Sequence, residues 1–147
     1  MNDMKPVEIL LVEDNAADAE LALRAFKKGR LANNVEWLRD GSEALDYLYC
    51  EGQYAGRSNG NPKLVLLDLK MPKVGGAEVL ARIKSDETKK MIPVVIMTSS
   101  QEERDLISSY QLGANSYIVK PLDFEALADV ASQAGFYWLA INRSPSQ

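Results

Sequence analysis

Residues 62–76, PKLVLLDLKMPKVGG, carry an apolar run that ends on a carboxylate. Leu64, Val65, Leu66 and Leu67 read as a β-strand covered on both faces, the pattern of a parallel sheet. Asp68 follows directly, then Leu69, Lys70, Met71, Pro72 and, after Lys73 and Val74, a pair of glycines. A carboxylate taken out of water costs several kcal/mol unless something compensates it. The stretch therefore predicts a buried strand whose last residue faces a partner outside the hydrocarbon core.

Outward from this strand, strand-like and helix-like segments alternate. Residues 7–13 (VEILLVE), 34–39 (NVEWLR), 93–98 (PVVIMT) and 116–119 (SYIV) read as strands. Helical patterns cover 16–28, with Asn15 as N-cap and Gly29 as stop, then 42–50, 77–85, 102–112 and about Asp123 to Ile141. Cys50 reads as a helix residue in ALDYLYC, and residues 51–63 as a long, glycine-rich polar loop. Five β/α units in one chain predict an α/β, doubly wound five-stranded parallel sheet with helices on both faces. Repeats and low-complexity tracts are absent from the sequence.

Composition narrows the function. A length of 147 residues and a hydrophobic fraction of 46% suit one compact domain over residues 1–147. The core is expected over about 7–141, with a short polar tail at 142–147. Apolar runs are of strand length, too short for a bilayer, and Met1–Val7 lacks the regions of a signal peptide. The single cysteine suits the cytoplasm. A net charge of −4 argues against nucleic acid as partner, and the cluster Lys27, Lys28, Arg30 reads as a solvated helix end. With no histidine, the chain cannot run Ser-His-Asp chemistry, ligate zinc through histidine or carry a phosphohistidine.

In open parallel sheets, ligands bind beyond the carboxyl ends of the strands. Those ends here carry Glu13-Asp14, Asp68, Thr98-Ser99-Ser100 and Lys120. Three clustered anions repel, and a hard divalent cation with oxygen ligands relieves that repulsion. Each residue alone has a plainer reading: Asp68 as a turn cap, Glu13-Asp14 as a lead into a helix, Thr98 as a β-branched strand residue, Lys120 as a solvated charge. Together they form a phosphoryl-transfer set. The sequence lacks both a G-x-G-x-x-G turn after the first strand and a P-loop. A haloacid-dehalogenase-type hydrolase would need a second acid at Lys70.

The blocks ILLVEDNAADAE, LVLLDLKMPKVGGAEVL, IPVVIMTSS and GANSYIVKPLDFEAL resemble the four signature blocks of the response-regulator receiver domain, single-domain chemotaxis-regulator type. The resemblance spans essentially the whole chain and implies a flavodoxin-like, CheY-like sheet of order 2-1-3-4-5. It implies that Asp68 is the phosphoacceptor. Glu13, Asp14, Asp68 and the backbone carbonyl of Lys70 would hold Mg²⁺ (or Mn²⁺). Thr98 and Lys120 would contact phosphoryl oxygens, with Tyr117 as aromatic switch partner to Thr98. The Lys120-Pro121 peptide would be cis, and Lys70 and Ser100 would tune dephosphorylation. The donor would be a partner histidine kinase.

GQYAGR, LDLKMPKVGG, TSSQEERDL and GFYWLAIN further resemble receivers that partner bacterial phytochrome kinases. Only NRSPSQ lies beyond the last helical pattern, so output is expected through protein contacts. On that helix Leu127, Val130, Ala131, Ala134, Trp138 and Ile141 share one stripe, while Phe136 and Leu139 fall outside it. With Tyr110 and Tyr117, these two suggest a docking or homodimer surface through the last helix and fifth strand. Neither nucleic acid nor membrane is an expected partner. The alternative is a receiver-shaped interaction partner that is never phosphorylated.

Overall fold

The computed structural model describes residues 7–28, 34–58, 60–71, 73–98, 111–120 and 125–129. Its elements are β1 (Ile9–Val12), α1 (Ala16–Lys28), β2 (Val35–Leu38), α2 (Gly41–Leu48), β3 (Leu64–Asp68), α3 (Gly76–Lys84), β4 (Val94–Thr98) and β5 (Ser116–Val119). The five strands form one sheet in the order β2-β1-β3-β4-β5, and every pairing is parallel. This is the doubly wound order expected from the sequence.

Successive strand residues point to opposite faces, so two cores form. Leu10, Val12, Val65, Leu67, Val94 and Ile96 pack on one side against Ala44, Leu48, Val79, Leu80 and Ile83 of α2 and α3. Ile9, Leu11, Leu64, Leu66, Val95 and Met97 pack on the other side against Ala19, Ala22 and Phe26 of α1 and against Leu127. Residues 125–129 are helical and Leu127 is fully buried, as its place in the stripe predicts. Each such aliphatic side chain contributes about 1.5–3 kcal/mol on burial. Hydrocarbon on both faces explains the unbroken apolar runs of β1, β3 and β4.

Several boundaries differ from the sequence expectation. Strands β1 and β2 are shorter than 7–13 and 34–39, and the helices at 42–50 and 77–85 each begin one residue earlier. Cys50 is not a helix residue: its φ of 54° places it in the left-handed region just past α2. Glu51 N donates to Asp46 O and Cys50 N to Tyr47 O, the paired bonds that close a helix C-terminus. Glycine usually fills that position, so a cysteine there gave no stop signal.

The expected loop 51–63 is anchored. It contains a 3₁₀ turn, Gly52–Tyr54, and Arg57 pins it to α2. Arg57 Nε donates to Tyr47 O at 2.8 Å, Nη1 to Gly60 O at 2.7 Å, and the guanidinium lies 4.0 Å from the Tyr47 ring centroid.

Candidate phosphoryl and metal site at the carboxyl end of the sheet

Parallel pairing brings the ends of β1, β3, β4 and β5 to one rim. β3 and β4 are registered with Asp68 beside Met97, and β4 and β5 with Thr98 beside Val119. Lys120 N donates to Thr98 O at 2.8 Å, so the backbone itself fixes where the lysine leaves the sheet.

Glu13 is held from three directions. Its N donates to Leu38 O at 3.0 Å, and Trp37 Nε1 donates to its carbonyl at 2.8 Å. Asn15 N donates to Glu13 Oε2 at 3.0 Å. Asn15 also caps α1 as the sequence predicts, its Oδ1 accepting from Asp18 N at 2.9 Å.

Glu13 is fully buried, Asp68 is 5% exposed and Thr98 2%, while Asp14 is exposed. One carboxylate oxygen from each of Glu13, Asp14 and Asp68 lies within 4.8 Å of the others. The three predicted acids therefore converge. Lys120 Nζ enters the cluster at 2.9 Å from Glu13 Oε1, 3.1 Å from Glu13 Oε2 and 3.2 Å from Asp68 Oδ2. It also lies 3.1 Å from Asp18 Oδ2, a partner the sequence reading did not include. Nothing in the sequence marked it beyond its place in the first turn of α1.

One ammonium does not balance this charge. Burial, then hydrogen bonding and repulsion from Glu13, push the Asp68 carboxyl up to about 8, although Lys120 opposes the shift. Burial pulls Lys120 down, but its hydrogen bond to Glu13 and the charges of Asp68 and Glu13 more than offset that and hold it above the usual lysine value.

Glu13 Oε1 is buried and accepts no well-directed hydrogen bond among the described residues, even with the ammonium at 2.9 Å. A set of three converging carboxylates, two of them buried, fits a hard divalent cation with oxygen ligands.

The glycine pair of the opening stretch also serves this rim. Gly76 N donates to Leu69 O at 2.9 Å, and α3 begins against the end of β3. A Cβ on Gly76 would collide with the carbonyl oxygen of Asp68 and lie 2.8 Å from Leu69 Cα. Only glycine lets α3 start so close to the carboxylate's own backbone.

Of the other predicted residues, Lys70 is exposed, its N donating to Asp68 Oδ1 at a long 3.4 Å. Tyr117 is 43% exposed on β5. Ser100, Tyr110, Pro121, Phe136 and Leu139 lie outside the described residues, as does the peptide expected to be cis.

Residues 9–132 match the response regulator receiver domain family. The chain is 48% identical over 140 residues to the probable methanogenesis regulatory protein FilR2 of Methanothrix harundinacea, covering 95% of this chain and 88% of that protein. It is 40% identical over 134 residues to response regulator Rcp1 of Synechocystis sp., covering 91% and 90%. Among solved structures, the bacteriophytochrome response regulator AtBRR superposes with a TM-score of 0.78 at 52% identity over 88% of this chain and 92% of that one. Phosphorylated RcpA, a cyanobacterial phytochrome response regulator, gives 0.76 at 43% identity over 92% and 96%. The Mn²⁺-bound form of Rcp1 gives 0.75 at 40% identity over 91% and 95%. Among the described residues, no helix is long and apolar enough to cross a membrane.

Proposed function

Because the chain belongs to the response regulator receiver domain family, we propose that it is a phosphorylation-controlled binding switch of a two-component system, with Asp68 as phosphoacceptor. The observation that carries this reading is the rim itself. A buried aspartate at a strand end stands within 4.8 Å of two further carboxylate oxygens, with an ammonium 3.2 Å away.

In the proposed reaction a phosphohistidine on a partner kinase is the donor. An Asp68 carboxylate oxygen attacks phosphorus, the P–N bond breaks, and its electron pair returns to the imidazole nitrogen. Donor and acceptor lie roughly in line, so the protein contributes positioning and charge rather than covalent chemistry. Lys120 neutralises charge on the transferred oxygens, and the Thr98 hydroxyl donates to another. Mg²⁺ (or Mn²⁺), held by Glu13, Asp14, Asp68 and the Lys70 carbonyl, supplies further neutralisation when bound.

An aspartyl phosphate adds about −1.5 to −2 charges to a confined site. Drawing Thr98 toward those oxygens opens space behind it, and Tyr117 turns inward from its exposed position on β5. A bias of about 3 kcal/mol changes the ratio of the two states more than a hundredfold. Lys70 and Ser100 follow Asp68 and Thr98 by two places and are proposed to govern hydrolytic decay.

The relatives named for phytochrome signalling support a bacterial phytochrome as the cognate histidine kinase. The cytoplasm is the proposed setting. Tyr117 and Val119, 43% and 42% exposed on the outward side of β5, support a homodimer through this strand and the last helix. Sedimentation showing only monomer at high concentration, with and without phosphorylation, would remove the dimer.

The direct test is incubation with acetyl phosphate and Mg²⁺ followed by intact-mass measurement. Wild type should gain one phosphoryl group and Asp68→Asn none. A wild type that never gains mass would make the chain a receiver-shaped partner that works without phosphate.

A further inference from the structure

Lys120 is anchored on both sides of the rim. Its ammonium has three protons and lies within 3.2 Å of carboxylates on Glu13, Asp18 and Asp68. On phosphorylation the Asp68 contact passes to the phosphoryl group, and an ammonium drawn toward several phosphoryl oxygens loosens its hold on the remaining carboxylates, Glu13 and Asp18.

The three partners are unequal. The side chain of Glu13 is 0% exposed, that of Asp68 6% and that of Asp18 28%. A carboxylate released by the ammonium needs water in its place, and Asp18 alone of the three has appreciable access to it. Asp18 also differs in placement. It lies on the first turn of α1, and its backbone N–H is tied to the Asn15 cap, whose own N–H is tied to Glu13. The carboxylate is thereby presented to Lys120 from α1, whereas Asp68 comes from the end of β3.

We propose that Asp18 is a positioning residue. It holds Lys120 in the unphosphorylated protein and is the partner surrendered when a phosphoryl group joins Asp68. This inference rests on the phosphoacceptor reading above and adds a tuning element to it. Because the Asp18 contact exists only before phosphorylation, it opposes the phosphorylated state. A plainer role exists, since an acid in the first turn of a helix favours the dipole. That role would change stability without changing how Lys120 responds to a ligand.

The test uses beryllofluoride as phosphoryl mimic, titrated with saturating Mg²⁺ into the full chain and into Asp18→Asn. Loss of a partly exposed ion pair that is present only in the free state should tighten BeF₃⁻ binding about fivefold. Equal or weaker binding by the variant overturns the proposal. With ¹⁵N-lysine labelling, Asp18→Asn should move the Lys120 ammonium signal in the free protein and leave it coincident with wild type in the BeF₃⁻-bound protein. Displacement of that signal by the same amount in both states would indicate a through-space charge effect and would also overturn it. If wild type fails to bind BeF₃⁻, or Asp68→Asn binds it equally, the phosphoacceptor reading and this proposal fall together. Failure of the Asp18 arm alone leaves that reading intact.

Discussion

Two polar clusters of this protein obey opposite rules. Around α2, the charged groups of Asp40, Glu43 and Arg57 each have complements. Asp40 accepts from Glu43 N, Glu43 accepts from Arg39 N and Gln53 Nε2, and Arg57 donates to the carbonyls of Tyr47 and Gly60 while stacking on Tyr47. At the rim, four carboxylates from residues 13, 14, 18 and 68 gather near one ammonium. The first cluster fastens a loop to its helix. The second is held in an arrangement that its own charges oppose, which is the usual condition of a site prepared for a charged ligand. Substitutions should therefore change stability in opposite directions at the two places.

The largest effect is expected at Asp68. Its folded carboxyl titrates near 8, far above the ordinary carboxylate range. Between the two values the folded protein keeps a proton that the unfolded chain has shed, so metal-free stability falls as pH rises from about 4 toward 8 and levels off above. Asp68→Asn lacks this slope. In urea unfolding with a chelator present, the variant should be more stable than wild type by a few kcal/mol at about pH 8, the difference shrinking as pH is lowered to 4. A variant less stable than wild type at pH 8 would mean that the rim is already balanced.

Gly76→Ala should destabilise by about 2–3 kcal/mol, because the new methyl group meets the Asp68 backbone and forces β3 and α3 apart. Phosphoryl labelling should slow in the same variant under conditions where it remains folded. Undiminished labelling would show that the strand end tolerates displacement.

Arg57→Ala should cost about 1–2 kcal/mol through the lost carbonyl bonds and ring contact, by the same urea measurement. Its labelling by acetyl phosphate should match wild type. A labelling defect would join the two regions that are here treated as separate.

The smallest effect on stability is expected from Lys70→Ala, since that side chain is exposed. The variant should alter the lifetime of the phosphorylated protein severalfold while leaving Mg²⁺ affinity within about twofold, as followed by decay of the labelled mass and by metal titration. An unchanged decay rate together with a shifted metal titration would remove Lys70 from the hydrolytic step.

The contrast also explains what could be read from the amino-acid order. The alternation of apolar runs and helical patterns was sufficient for a doubly wound parallel sheet, because burial on both faces leaves strands such as LVLLD without polar gaps, while the strand order came from the family resemblance. The acids at 13, 14 and 68 were legible as strand ends, which parallel pairing must bring together. The Asp18 contact was not. In the sequence it is one more acid in the first turn of a helix, and Lys120 meets it from the end of β5. Lys120 finds Glu13 and Asp68 at separations of 107 and 52 residues, whereas the α2 contacts span ten residues or fewer. Cys50 shows the converse difficulty. A left-handed helix end without glycine carries no local mark, and the loop it opens reads only as long and polar because nothing in the sequence marks Arg57 as its anchor.

Calorimetric titration of Mg²⁺ into the metal-free protein, repeated in buffers of different ionisation enthalpy, tests most directly whether the rim is built for a cation. One ion per chain should bind, with release of close to one proton at about pH 7 and fewer near pH 9, because Asp68 must give up its proton to the metal. Glu13→Gln and Asp14→Asn should each weaken that binding at least tenfold. Binding that is absent, indifferent to both substitutions or unaccompanied by proton release would contradict it.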